Sequence, residues 1–283
     1  MRIAVLFLMV FGIAGCSKSD DPLTEDCMCD GQLCPSSHVC REASGDCDVA
    51  ETCTGAAAAC PSDAALVSGS FCWSEASASY YASTCNGTDI TCTATSSGTA
   101  FSFVKDVNNS YILPDSHPLF FSTVTTYDGN LGGRAGADAK CQAEAAKYNL
   151  GGIFKAFLAI ANLNNDGYLA PPDLMAQDYY NLSNTKTVGF DQDNVINYWG
   201  TLSNTGTSFM FPNGSAVEED MVFHWVGLDN FLLIYNSPPK TDSEIRTCAQ
   251  WTSTGDGRVV TQEGAFTTKG CSNTLPLLCF QVQ

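Results

Sequence analysis

Ten of the fifteen cysteines lie between residues 27 and 92, at Cys27, Cys29, Cys34, Cys40, Cys47, Cys53, Cys60, Cys72, Cys85 and Cys92. No apolar run longer than a few residues separates them. A segment this short and this polar cannot bury a core of useful size, so covalent cross-links must hold it together. Spacing alone does not say which of the ten pair with which. Cys16 stands apart near the start, and Cys141, Cys248, Cys271 and Cys279 are scattered over the remainder. Setting Cys16 aside leaves an even number, as expected in an oxidising compartment.

The chain opens MRIAVLFLMVFGIAGCSKSDD. Its apolar run, residues 3–13, is too short to cross a membrane, which takes about 20 residues. Residues 1–15 therefore read as a secretory signal peptide. The Ile-Ala-Gly-Cys ending resembles a bacterial lipobox. That resemblance implies cleavage before Cys16, a lipid on Cys16, and residues 16–26 as a polar tether. The expected location is the bacterial outer membrane, lipid-anchored and facing the cell surface. The net charge is −17 and is spread along the chain, which removes nucleic acid and other polyanions from the partners to consider.

Within 27–92, CTGAAAAC (53–60) and CNGTDITC (85–92) repeat one pattern at an offset of 32 residues. The run CREASGDCDVAETCTGAAAACPSDA (40–64) resembles the disintegrin-type cysteine module. Its loop carries Ser44-Gly45-Asp46, not an integrin-binding tripeptide, so the module is expected to act as a stalk or spacer. Residues 93–118 are rich in Ser and Thr and end in two prolines, which reads as a linker. After Phe120 come apolar clusters sufficient for a core, and residues 119–283 read as one domain.

In AGADAKCQAEAAKY the helix-forming residues place Ala137, Cys141 and Ala145 on one inward face. A buried thiol in an exported chain needs a partner. The four late cysteines allow three pairings, and the residues leave all three open. GNLGGRAGADAKCQAEAAKYNLGGIFKAFLA (129–159), TCAQWTST (247–254) and GCSNTLPLLCF (270–280) are similar to endostatin. FHWVGLD (223–229) resembles the core strand of C-type-lectin-like domains. Nearest in pattern are the endostatin-like surface lipoproteins of spirochaetes. The resemblance implies an α+β, C-type-lectin-like fold for 119–283, with Cys141–Cys279 and Cys248–Cys271 as its disulfides.

That family binds extracellular-matrix and complement-regulatory proteins, so the resemblance implies an adhesin-like binding protein for host or neighbouring-cell proteins. Tyr179, Tyr180, Tyr198 and Trp199, in a stretch rich in aromatics and Asn, are the candidate ligand-binding residues. The usual lectin calcium site is not supplied: NSPPK (236–240) and GAFTTKG (264–270) lack the carboxylates that calcium needs. Asn162, Asn164, Asp166 and Asp173 fall at EF-hand spacing and form the one candidate calcium loop. It supports an alternative reading as a calcium-assisted glycan-binding module, against the plain reading of an Asn/Asp/Gly turn. A third reading is a structural envelope lipoprotein with no soluble ligand. His38, His117 and His224 form no metal-ligand cluster, and no catalytic motif is present. The chain is expected to be a non-enzyme without a cofactor.

Overall fold

The computed structural model describes residues 27–29, 31–158, 160–161, 168–169, 175–190, 196–199, 209–217, 224–225, 248, 256–260 and 266–282. Residues 1–26, expected to hold a signal peptide, the lipidated Cys16 and a tether, lie outside the described residues, as do Asn162, Asn164, Asp166 and Asp173. The architecture is disulfide-rich α+β, mostly strands with one α-helix among the described residues. It divides into two units: residues 1–70 with 85–92, and residues 71–84 with 93–283.

In the first unit the strands are too short to bury anything between them. β1 (Met28–Cys29) pairs with β2 (Gln32–Leu33), and β3 (Val39–Arg41) pairs with β4 (Glu51–Thr52). Disulfides join Cys27 to Cys53, Cys29 to Cys34, Cys40 to Cys60 and Cys47 to Cys85. The buried cluster is made of cysteine itself: Cys27, Cys34 and Cys53, with Cys29, Cys40 and Cys60 against them.

The second unit begins earlier in the chain than composition indicates. Hairpin β5 (Phe71–Ala76) and β6 (Ser79–Thr84) belongs to it. The Trp73 ring packs edge-on to Phe101 and Phe103 at 5.2 and 4.9 Å, and its Nε1–H donates to the Tyr148 carbonyl at 2.9 Å. Residues 93–118 are therefore not an open linker. They carry β7 (Val104–Lys105) and β8 (Tyr111–Ile112), and they bury Phe101, Phe103, Tyr111 and Leu113.

Beyond them lie β9 (Phe120–Ser122), helix α1 (Gly133–Lys147) and β10 (Ile153–Ala156), then the short pair β11 (Ile160–Ala161) and β12 (Tyr168–Leu169). β13 (Asp178–Tyr180), β14 (Lys186–Phe190) and β15 (Ile196–Trp199) form one antiparallel sheet. β16 (His224–Trp225), β17 (Asp256–Val260) and β18 (Phe266–Gly270) form another. The last strand, β19 (Leu278–Val282), lies between β10 and β9, antiparallel to both. Helix α1 covers the outer edge of β10 with side chains: Gln142 Oε1 accepts from the Phe154 N–H and Asp138 Oδ1 from the Ala156 N–H, both at 2.9 Å. An edge capped in this way offers no template to another strand.

Ala137, Cys141 and Ala145 are buried along α1. Cys141 is bonded to Cys279 of β19, and Cys248 to Cys271. Gly129 packs on the second bridge, where any Cβ would overlap the Cys248 sulfur and the Cys271 Cβ. Glu144, on the same helix face, is 1% exposed. It accepts from the Val124 and Thr125 N–H groups, the Thr125 hydroxyl and Lys147 Nζ. Burial alone would push its carboxyl up. The hydrogen bonds from Lys147 and Thr125 outweigh burial and hold it below the ordinary value.

Candidate functional site

Four aromatic residues were the candidates for a binding surface, and the structure separates them. Tyr179 is not a surface residue: it is 0% exposed, packed edge-on to Phe120 and Phe280 at 6.2 and 5.9 Å. Burial pushes its hydroxyl pKa up, and that hydroxyl accepts from the Met175 N–H at 3.2 Å. The reason is strand pleat, since neighbours in β13 face opposite ways. Tyr180 takes the other face and stacks on the His117 ring, centroids 4.1 Å apart. His117 Nδ1 lies 2.7 Å from the Asn184 side-chain oxygen, a hydrogen bond that holds the ring in place against Tyr180. Tyr198 and Trp199 sit in β15, where only the backbone is described.

In the first unit the Ser44-Gly45-Asp46 loop is tied down. The Ser44 N–H and hydroxyl both donate to Asp48 Oδ2, at 2.6 and 2.9 Å, and the Asp48 N–H returns to the Gly45 carbonyl. These bonds, the Ser44 N–H first, hold the Asp48 carboxyl below its usual range. Asp48, Glu51 and Asp63 bring carboxylate oxygens together. Their cation is internal: Arg41 Nε lies 2.9 Å from Glu51 and 3.4 Å from Asp63. Arg41 also donates to the Pro61 carbonyl at 2.8 Å. The cluster is a structural ion network.

A cleft of about 350 Å³ lies wholly within the second unit. It forms where three elements meet. β5 and β6 supply Phe71, Ala82, Ser83 and Thr84. Residues 97–101 run beside β6, held by reciprocal backbone bonds of 2.9 Å between Tyr80 and Phe101, and supply Ser97, Thr99 and the Phe101 ring. The turn at 211–215 supplies Asn213, Gly214 and Ser215. This turn is closed by the Phe211 N–H to the Ser215 carbonyl, and by Asn213 Oδ1 accepting from both the Ser215 N–H and hydroxyl. Gly214 has φ +82°, and a Cβ there would run into the Phe101 ring, so glycine is needed on both counts. No lining residue carries a charge. Thr84 Oγ1, Thr99 Oγ1 and the Asn213 amide nitrogen make no hydrogen bond among the described residues.

In the sequence, Phe71 and residues 82–84 read as part of the disulfide-rich stalk and residues 97–101 as linker, while residues 213–215 fall in the 119–283 domain. The signal available was the Phe101-Ser102-Phe103 alternation, which marks a half-buried strand-like stretch inside a polar run.

No family model matches the chain. Disintegrin and metalloproteinase domain-containing protein B of Aspergillus fumigatus is 31% identical over 101 residues, which is 36% of this chain and 12% of that protein. Disintegrin and metalloproteinase domain-containing protein 11 of Homo sapiens is 42% identical over 57 residues, 18% of this chain and 7% of that protein, and its Mus musculus counterpart matches equally. The chain thus spans about an eighth or less of these relatives' length. With the four disulfides of the first unit, the similarity fits a disintegrin-like cysteine-rich module in the N-terminal part.

Proposed function

We propose that the chain is an exported, lipid-anchored binding protein of the cell surface. In this reading it is adhesin-like, and its second unit is a C-type-lectin-like, endostatin-like head that recognises extracellular-matrix or complement-regulatory proteins. The observation that carries the exported half is cysteine usage: every cysteine from Cys27 to Cys279 is disulfide-bonded. Such density belongs to an oxidising compartment and leaves no thiol among these cysteines for catalysis. The binding half is supported by the uncharged cleft with its solvent-facing hydroxyls and amide, a form suited to recognition. We read the protein as a non-enzyme.

The test is capture with the full chain against laminin, fibronectin and complement regulators, in calcium and in EDTA. Saturable retention of a purified matrix or complement protein in both buffers supports the reading. Retention of none, over the micromolar range, overturns it. Surface placement is checked separately by adding protease to intact cells: the chain should be clipped, and full protection argues for a buried envelope role.

A further inference from the structure

We infer that the cleft between hairpin β5–β6, residues 97–101 and the 211–215 turn is a calcium-independent site for a neutral sugar residue. The inference rests on the reading of the chain as a binding protein and names the chemistry that one site would take. Three observations carry it. The first is charge: in a chain of net charge −17, none of the residues lining this cleft is ionisable. A polyanion, an acidic sugar or a basic peptide would find no partner here. With no carboxylate and no histidine in the lining, there is nothing to hold calcium either.

The second is the pairing of surfaces. Phe71 contributes a half-buried aromatic ring, the 2% exposed Phe101 ring lies behind it as part of the core, and hydroxyls and an amide stand around the opening. A pyranose has an apolar C–H face and an edge of hydroxyls that both donate and accept. The electron-rich ring face suits the first, and Ser, Thr and Asn side chains suit the second. The three groups without a partner among the described residues are Thr84 Oγ1, Thr99 Oγ1 and Asn213 Nδ2, two of which both donate and accept while the third only donates. The third is preorganisation. Ser83 Oγ is fixed by donation to the Thr93 carbonyl at 3.0 Å, and Asn213 Oδ1 is fixed by Ser215. The amide is therefore held in one orientation before any ligand arrives. At about 350 Å³, the cleft holds one or two sugar rings.

The test uses the full chain and the methyl glycosides of glucose, galactose, mannose and N-acetylglucosamine, with their β1–4 disaccharides, each in EDTA and again in calcium. Saturation-transfer NMR reads contact and titration calorimetry reads affinity. At least one neutral glycoside should bind. Thr99→Val, which removes one exposed hydroxyl at constant shape, should weaken it about five- to tenfold. Ala82→Arg, which fills the exposed mouth, should abolish it, with melting temperature unchanged in both variants. Any of three results overturns the inference: no glycoside gives saturation transfer, binding survives Ala82→Arg, or binding requires calcium. Retention of a deglycosylated matrix protein that Ala82→Arg abolishes also overturns it, because the cleft then reads polypeptide. Retention of a matrix protein by both wild type and Ala82→Arg, without sugar binding, sinks this inference alone and leaves the adhesin reading standing.

Discussion

The two units use cysteine in opposite ways. In the first, cysteines are the core, and the disulfides Cys27–Cys53, Cys29–Cys34, Cys40–Cys60 and Cys47–Cys85 stand where an apolar interior would be. Each bridge closes a short loop, 5 to 38 residues, and restricts the unfolded chain by about 2–4 kcal/mol on the loop-entropy model. In the second unit an aromatic and aliphatic core is already present. Cys141–Cys279, spanning 138 residues, ties the helix to the last strand and adds about 5 kcal/mol by the same model. One unit cannot exist without its bridges; the other is tightened by them.

Reduction should separate the units most sharply. Under a strong thiol reductant, amide exchange protection over residues 39–66 should vanish. Protection over 119–158 should fall but remain measurable, because Phe120, Phe121, Phe154 and Leu158 stay buried there. Simultaneous loss in both stretches would break the comparison.

Side-chain truncation is the next largest effect and runs the other way. Phe121→Ala removes a 0% exposed ring of the second unit and should cost about 3–5 kcal/mol in denaturant unfolding. Val39→Ala, at a 41% exposed strand position of the first unit, should cost under about 0.5 kcal/mol. Equal costs would mean that the first unit has an apolar core after all.

The first unit replaces packing with an ion network, and Arg41 is its centre. Arg41→Gln leaves Glu51, whose side chain is 5% exposed, without its charged donor. A loss of about 1.5–3 kcal/mol is expected, confined to residues 27–70 by exchange measurements. A variant as stable as wild type would show that the carboxylates are satisfied without Arg41.

What could be read from the chain follows the same division. Cysteine crowding announces a covalent framework because little else can stabilise so polar a segment. The face Ala137, Cys141, Ala145 is legible because helical period and small side chains agree. Hairpin 71–84 and the stretch 93–118 were hidden, since their Ser, Thr and Ala content resembles linker while Trp73, Phe101 and Phe103 do the packing. Tyr179 and Tyr180 show a finer limit. Composition treats them alike, and only the strand's facing decides which is core. Glu144 has no sequence signature at all: an acid at a buried helix position becomes sensible only once the Val124–Thr125 backbone is seen to donate to it.

That acid yields the smallest effect and a pH signature. Glu144's carboxyl is held below its ordinary value of 4.5 in the folded chain. A depressed folded value means the folded state favours the charged form. The stabilisation is therefore complete above the unfolded value and is lost as pH falls through the folded one. Glu144→Gln keeps the shape but weakens the acceptors for Val124, Thr125 and Lys147, at about 1 kcal/mol near neutral pH. The melting-temperature gap between wild type and variant should be full at pH 7 and shrink as pH falls below 4.5. Asp48 shifts in the same direction in the other unit, so the gap, not the absolute melting temperature, isolates Glu144. A gap constant with pH would mean that Glu144 is held by shape alone, and that the second unit, unlike the first, owes nothing to a buried charge.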